Sequence, residues 1–206
     1  MMLSSTRTSL ISAMKRSNLG GVVALHRRSF SESLLSQMGP PLLRCLYQGI
    51  VNDPAGIALV CEKCNRILGF VAGTSESRGF YVRLLASRWP RFALASVVPV
   101  LRNPGIVPRL LDAFRKTTEE PEEEGCGLLM SLAVEPNAQS NGIGAALVHG
   151  FLAECQEQGL SSVHLTTDHF GNDRTNRFYL NLGFTLAHVT TTPQGRGLND
   201  YRIEIG

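Results

Sequence analysis

Apolar positions along the chain change their period several times, and each change marks an element. Residues 127–134 (GLLMSLAV) are almost unbroken in apolar character, as a strand covered on both faces requires. Beyond a polar loop, Ile143, Leu147, Phe151 and Cys155 recur every fourth residue, widened by Val148 and Leu152. That spacing predicts a helix to about Gln158, stopped by Gly159. Val163, Leu165 and Thr167 alternate within 161–167, the period of another strand. Residues 172–182 read as a short helix with Gly183 just past its end, and 184–191 and 201–205 as closing strands.

Upstream, residues 9–15 read as an opening strand, and Val22, Val23, Leu25 and His26 begin helical spacing. Pro40 and Pro41 suit the first turn of a second helix, with Leu42, Leu43, Leu46, Tyr47 and Ile50 as its stripe. Asp53-Pro54 ends that helix at Asn52. Two apolar runs, 57–62 and 67–73, flank a polar turn and predict a hairpin.

Residues 75–126 break the rhythm. From Arg78 to Lys116 there are eight basic residues and one acid, Asp112, with helical spacing interrupted at Pro90, Pro99, Pro104 and Pro108. Glu119 to Glu124 then form an acidic run, which reads as a solvated loop. This stretch is taken as an insertion within one domain spanning 1–206.

Composition narrows the class. With 43% apolar and 18% charged residues, the chain can bury a core and is not disordered. A net charge of +3 is too small to indicate nucleic acid as a partner. No apolar run reaches the roughly 18 residues of a membrane span. Five cysteines, an odd number, suggest reduced thiols in the cytoplasm. Cys61 and Cys64 form a C-x-x-C with no second ligand pair, so no metal site is expected and a hairpin tip is the reading. Residues 1–31 carry five basic residues and no acid, as a transit segment can, but the strand and helix periods favour folded structure.

The chemistry concentrates where the polar loop 135–141 enters a helix through Gly142-Ile143-Gly144. Free N–H groups of a first helical turn, with glycines that let a ligand approach, suit a phosphate. The sequence there is neither G-x-x-x-x-G-K-[ST] nor G-x-G-x-x-G.

Gln139-Ser140-Asn141-Gly142-Ile143-Gly144 matches Q/R-x-x-G-x-G/A, and residues 172–184 (NDRTNRFYLNLGF) resemble N-x-x-A-x-x-F-Y-x-x-x-G-F, with Thr175 in place of the usual Ala. In this order, with one helix and one strand between them, the two segments resemble the GCN5-related N-acetyltransferase superfamily. The resemblance is close over about residues 127–190. It implies an α/β (α+β) fold: a mixed, mostly antiparallel twisted sheet, helices on both faces, and a helical insertion before the central strand. It implies acetyl-CoA as cosubstrate and direct transfer of an acetyl group to a primary amine in a ternary complex.

By the same resemblance, the backbone of Leu132, Ala133 and Val134 would pair with the pantetheine. The N–H groups of Gln139, Ser140, Asn141, Gly142, Ile143, Gly144 and Ala145 would cradle the pyrophosphate, and Asn172 would reach the pantetheine or ribose. Tyr179 matches the tyrosine near the thioester sulfur, where a phenol can give a proton or hydrogen bond to the departing thiolate. Many relatives carry a glutamate in the strand matching 127–134; this chain has none there. Glu124, Glu135 and His169 are the nearby candidates for a base, while His149, mid-helix, is expected to be structural or exposed. The insertion would cap the acceptor site, with Arg78, Arg83, Arg88 and Arg91 suited to phosphate, or form a homodimer contact. A small-molecule amine such as an amino-sugar nucleotide is the expected acceptor. The rivals are protein amino termini or lysines, and a non-catalytic acyl-CoA-binding module.

Overall fold

A two-residue turn sets the first half of the sheet. In the computed structural model, which describes residues 11–76, 80–102, 105, 125–192 and 195–206, β2 (Gly56–Lys63) and β3 (Arg66–Thr74) pair antiparallel. Cys64 and Asn65 join them, with φ of 50° and 60°, the left-handed pair that matches the twist of a tight hairpin. Cys64 is exposed at that tip and Cys61 is buried in the strand.

β1 (Ile11–Ala13) lines β2, and β4 (Cys126–Val134) lines the other side of β3. β5 (Ser162–Asp168), β6 (Thr185–Thr191) and β7 (Gly197–Glu204) complete seven strands in the order β1-β2-β3-β4-β5-β7-β6. Every pairing is antiparallel except β4 with β5. That parallel contact covers three residue pairs, from Cys126↔Ser162 to Leu128↔His164, and then the strands part. Between β3 and β4 the register passes from Ala72↔Ser131 to Gly73↔Leu129, so Met130 is bulged out. A Cβ at Gly73 would stand 2.1 Å from the Leu128 carbonyl oxygen, so only glycine lets the strands close beside this bulge.

One face of β2–β4 is covered by α1 (Leu19–Ser29) and α3 (Pro40–Asn52), the short α2 (Leu34–Gln37) lying between them in sequence. Leu43, Tyr47, Phe70 and Phe80 form the core there. The stripe predicted for α3 is the buried one, and Pro40 and Pro41 occupy its first turn. α5 (Ile143–Glu157) covers the opposite face through Leu147, Val148, Phe151 and Cys155. α6 (Asp173–Asn181) adds Tyr179 to that second core. His149 is exposed, within the expectation for it.

Two expectations need correction. α4 (Phe80–Arg102) runs unbroken through Pro90 and Pro99, which were expected to interrupt it. A mid-helix proline costs about 3 kcal/mol. Burial of Phe80 and Leu84, with Phe92 packed on Met38 and Leu42, offsets that penalty. β7 starts at Gly197, four residues before Tyr201, because Leu198, Asn199 and Asp200 pair with β5 on one side and β6 on the other. The acidic run and Pro104 and Pro108 lie outside the described residues.

The first core contains a buried histidine. His26 is 2% exposed, with Nδ1 2.6 Å from the Tyr47 hydroxyl. Desolvation lowers its pKa to about 4, so the folded protein keeps it neutral. The unfolded chain binds this proton near pH 6.5 and the folded chain does not until about pH 4. Stability is therefore lost as pH falls through that window, by about 3 kcal/mol at most. Denaturant melts between pH 7 and 4 should show this acid limb in the native protein and a shallower one in His26→Gln.

Candidate functional site

The loop after β4 is built to present backbone N–H groups. Glu135 donates its N–H to Leu68, and a short 3-10 turn at Pro136–Ala138 follows. Ser140 and Gly142 then adopt left-handed φ of 63° and 76°. Gly142 is the N-cap of α5, and without a side chain it leaves the first-turn N–H groups uncapped. The first helical bond comes only at Ala146, which donates to the Gly142 carbonyl. Ile143, Gly144 and Ala145 therefore point free N–H groups out of the positive end of the helix.

Gln139 has a use that its sequence position did not reveal. Its Nε2 donates to the Val134 carbonyl at 3.1 Å, tying the loop back to the end of β4. Gly144 has another: a Cβ there would lie 3.3 Å from the Phe178 ring, so its bareness lets α6 close on the first turn of α5. The two sequence motifs thus meet in space.

β4 offers an open edge beside this helix start. The Glu135–Leu68 bond fixes the phase of the ladder. In an antiparallel pair, alternate residues turn their amides to the neighbour and away from it. Ala133, opposite Phe70, thereby bonds with β3, while Leu132 and Val134 face away. On that side β5 has already diverged beyond Leu128. The Leu132 N–H and C=O and the Val134 N–H line this opening.

The far wall comes from β5 and α6. Thr167 donates to Asn176 Oδ1 at 2.6 Å, and Asn176 Nδ2 donates to the Asp168 carbonyl at 3.1 Å, pinning α6 to the end of β5. Asn172, the N-cap of α6, is half-buried, and its side chain has no hydrogen-bond partner among the described residues. The Tyr179 ring packs between Phe178 and Phe184 and near Tyr201, at 5% exposure. Its hydroxyl likewise has no partner among the described residues, and burial pushes its pKa up.

The candidate bases separate. Glu135 is ion-paired to Arg28 at 2.8 Å, clipping the exit of β4 to α1. His169 Nδ1 is 2.6 Å from Asn199 Oδ1, which fixes its ring against the start of β7. Glu124 lies outside the described residues. Of the four arginines expected near the acceptor, Arg83 pairs with Glu76 at 3.2 Å and lies 3.8 Å from Asp53. Arg78 and the side chains of Arg88 and Arg91 lie outside the described residues. Arg196, which sequence reasoning passed over, holds Asp168 with two bonds and so joins the β6–β7 connection to the end of β5. Among the described residues, no helix is long and apolar enough to cross a membrane.

An open strand edge beside a bare helix N-terminus fits a cosubstrate with an amide-bearing arm and a pyrophosphate. The sequence model of the acetyltransferase (GNAT) family matches residues 21–184. The chain belongs to the GNAT family. Its members are acyltransferases that use acetyl-CoA. No curated protein matches this GNAT chain by sequence. Solved structures do resemble it. A GNAT-family acetyltransferase from Desulfovibrio desulfuricans is 14% identical over 95% of this chain and 98% of its own, with a TM-score of 0.64. An aminoglycoside 6′-N-acetyltransferase in complex with coenzyme A is 16% identical over 95% and 97%, with a TM-score of 0.62. A ribosomal-protein-alanine N-acetyltransferase from Brucella melitensis is 15% identical over 95% and 99%, with a TM-score of 0.60. At these identities the likeness is one of fold, and it spans the mixed, mostly antiparallel sheet expected from the sequence.

Proposed function

We propose that this GNAT acetyltransferase acts on a primary amine of a small molecule, an amino-sugar nucleotide being the first class to test. The observation that carries the catalytic part is the parting of β4 from β5 after three residue pairs, which leaves Leu132 and Val134 open beside the α5 N-terminus. Acetyl-CoA supplies the acetyl group as a thioester. Leu132 and Val134 would hold its pantetheine as a neighbouring strand holds an edge. The N–H of Gln139, expected to join the cradle, is instead donated to the Pro136 carbonyl at 3.3 Å, so those from Ser140 to Ala145 would take the pyrophosphate, with Ile143, Gly144 and Ala145 free of helical bonds. Asn172, whose side chain has no hydrogen-bond partner among the described residues, would serve the pantetheine or ribose side.

A Leu132 N–H aimed at the thioester oxygen would stabilise charge as it develops during attack by the neutral amine. Tyr179 would face the leaving sulfur. Because burial raises its pKa, full proton transfer to a thiolate is unfavourable, so its part is a hydrogen bond to the developing charge.

The small-molecule reading is supported by the far half of the sheet. Val163, Leu165 and Tyr201 pack into the second core. The alternate residues His164, Thr166, Asp168, Asp200 and Arg202 therefore share the other face, with the charged and imidazole groups half-buried. Asp200 lies 3.3 Å from His188, and Asp168 is held by Arg196. A face of fixed, mixed charges suits a compact polar acceptor.

Calorimetric titration with acetyl-CoA, followed by an acceptor screen of amino-sugar nucleotides, other small amines and peptides, tests the proposal. Micromolar acetyl-CoA binding and turnover with a small amine are expected. Turnover confined to peptides would move the acceptor to protein amino termini or lysines. Failure of the folded protein to bind acetyl-CoA would overturn the site.

A further inference from the structure

The parallel ladder of β4 and β5 ends at Leu128↔His164, so His164 stands where the two strands begin to part. Val163 and Leu165 enter the second core, which turns His164, Thr166 and Asp168 to the other face of the sheet. On that face the first core draws its strand residues from β2, β3 and β4, and within the described residues takes none from β5, β7 or β6. The β5 part of the face is open to solvent. Thr166 is exposed, β6 is exposed along its whole length, and the His164 side chain keeps 27% of its surface accessible.

A carboxylate stands behind this imidazole. Asp200 projects from β7 on the same face, opposite Thr166. Its Oδ1 is buried, has no hydrogen-bond partner among the described residues, and lies 3.9 Å from His164 Nδ1, an ion-pair distance. Its Oδ2 lies 3.3 Å from Nε2 of the exposed His188 on β6. A buried carboxylate oxygen without a donor is costly, and a proton on His164 would relieve that cost. Arg202, the neighbour of His164 across the ladder, is drawn aside by Glu204 at 2.9 Å. With Nδ1 turned to Asp200, Nε2 is the nitrogen left for a ligand or water, and it has no hydrogen-bond partner among the described residues.

We infer that His164, backed by Asp200, is the base that takes the proton of the attacking amine, through water lying along Thr166. The inference rests on the function proposed above. The second core, with Tyr179, fills the α5 side of the opening, so the acceptor comes from the solvent-reached side that carries Thr166. Leu132 lies four residues beyond Leu128, one of them bulged, so about 10 Å of strand separates the level of His164 from the thioester. Water crosses that span over the exposed Thr166. As the carbon–nitrogen bond forms, the amine N–H breaks, its proton passes to water, and a proton of that water passes to His164 Nε2. The carbon–sulfur bond breaks and its electron pair leaves with the sulfur. The new imidazolium pairs with Asp200 Oδ1. Once the amide has left, His164 returns its proton to solvent and the thiolate takes one up, so amine and thioester have become amide and thiol.

The test compares His164→Ala, His164→Gln and Asp200→Asn with the wild type by acetyl-CoA titration, thermal melting and steady-state kinetics, with and without free imidazole. Both His164 variants are expected to lower kcat by about 100-fold, the scale of acid–base catalysis. Acetyl-CoA affinity should hold in all three. Asp200→Asn, which removes only the charge behind the base, should lower kcat by about fivefold, the scale of a partly exposed ion pair. Free imidazole should recover part of the rate in His164→Ala, whose missing ring it can replace from solvent, and should leave the wild type unchanged. Folded His164 variants with wild-type kcat would overturn the base alone. So would a lowered kcat that imidazole leaves uncorrected in His164→Ala, which would make His164 a supporting residue of the sheet. A wild-type protein that binds acetyl-CoA but acetylates no amine would overturn the proposed function, and the base with it.

Discussion

Gly142→Glu should weaken acetyl-CoA binding by roughly 100-fold or more, set by a carboxylate about 4 Å from a pyrophosphate at an intermediate dielectric. Two effects combine. Gly142 holds φ at 76°, where a side chain adds about 1–2 kcal/mol of strain. The new carboxylate would also stand among the free N–H groups of Ile143, Gly144 and Ala145, competing with the ligand for the helix's positive end. Gly142→Asn separates the two, since asparagine tolerates the left-handed region and carries no charge. Titration calorimetry should find the Asn variant within about tenfold of wild type, strain alone being at stake. Equal, unaltered affinity in both variants would remove the pyrophosphate from this turn.

Tyr179→Phe should lower kcat by about 100-fold, the usual effect of removing one donor from a developing negative charge. Acetyl-CoA affinity should be nearly unchanged, because the ring contacts with Phe178 and Phe184 survive the substitution. The pH profile adds a second check. Burial raises the Tyr179 pKa, so the hydroxyl stays a donor through neutral and mildly alkaline pH. An alkaline fall in wild-type kcat below about pH 10, the ordinary phenol value, would have to come from another group. Unchanged kcat in the Phe variant would leave Tyr179 as a core residue.

The elements carrying the proposed cosubstrate site were legible because their periods are strong. The unbroken apolar run of β4 and the four-residue spacing of α5 each have one physical reading. β7 was less legible, since Gly197, Asn199 and Asp200 are turn-like residues recruited by pairing on both sides. α4 was hidden by two prolines whose local penalty is overridden by tertiary packing. At the site, motif spacing pointed to Gly142 and Tyr179. It could not show that Gln139 holds the Val134 carbonyl, or that Ala133 turns its backbone to β3, because both depend on ladder phase. Tyr47 and His26 come together from two helices across 21 positions, and no local pattern joins them.

The three residue pairs between β4 and β5 also have a mechanical meaning. They make the sheet two ribbons sharing a short hinge, rather than one continuous plate. A ligand held along Leu132 and Val134, as proposed, would be a strut between the ribbons, stiffening the assembly by bracing the same gap it occupies. On the proposed function, the brace would go in first, and only a braced gap would hold the acceptor amine at a fixed distance from the carbon it attacks.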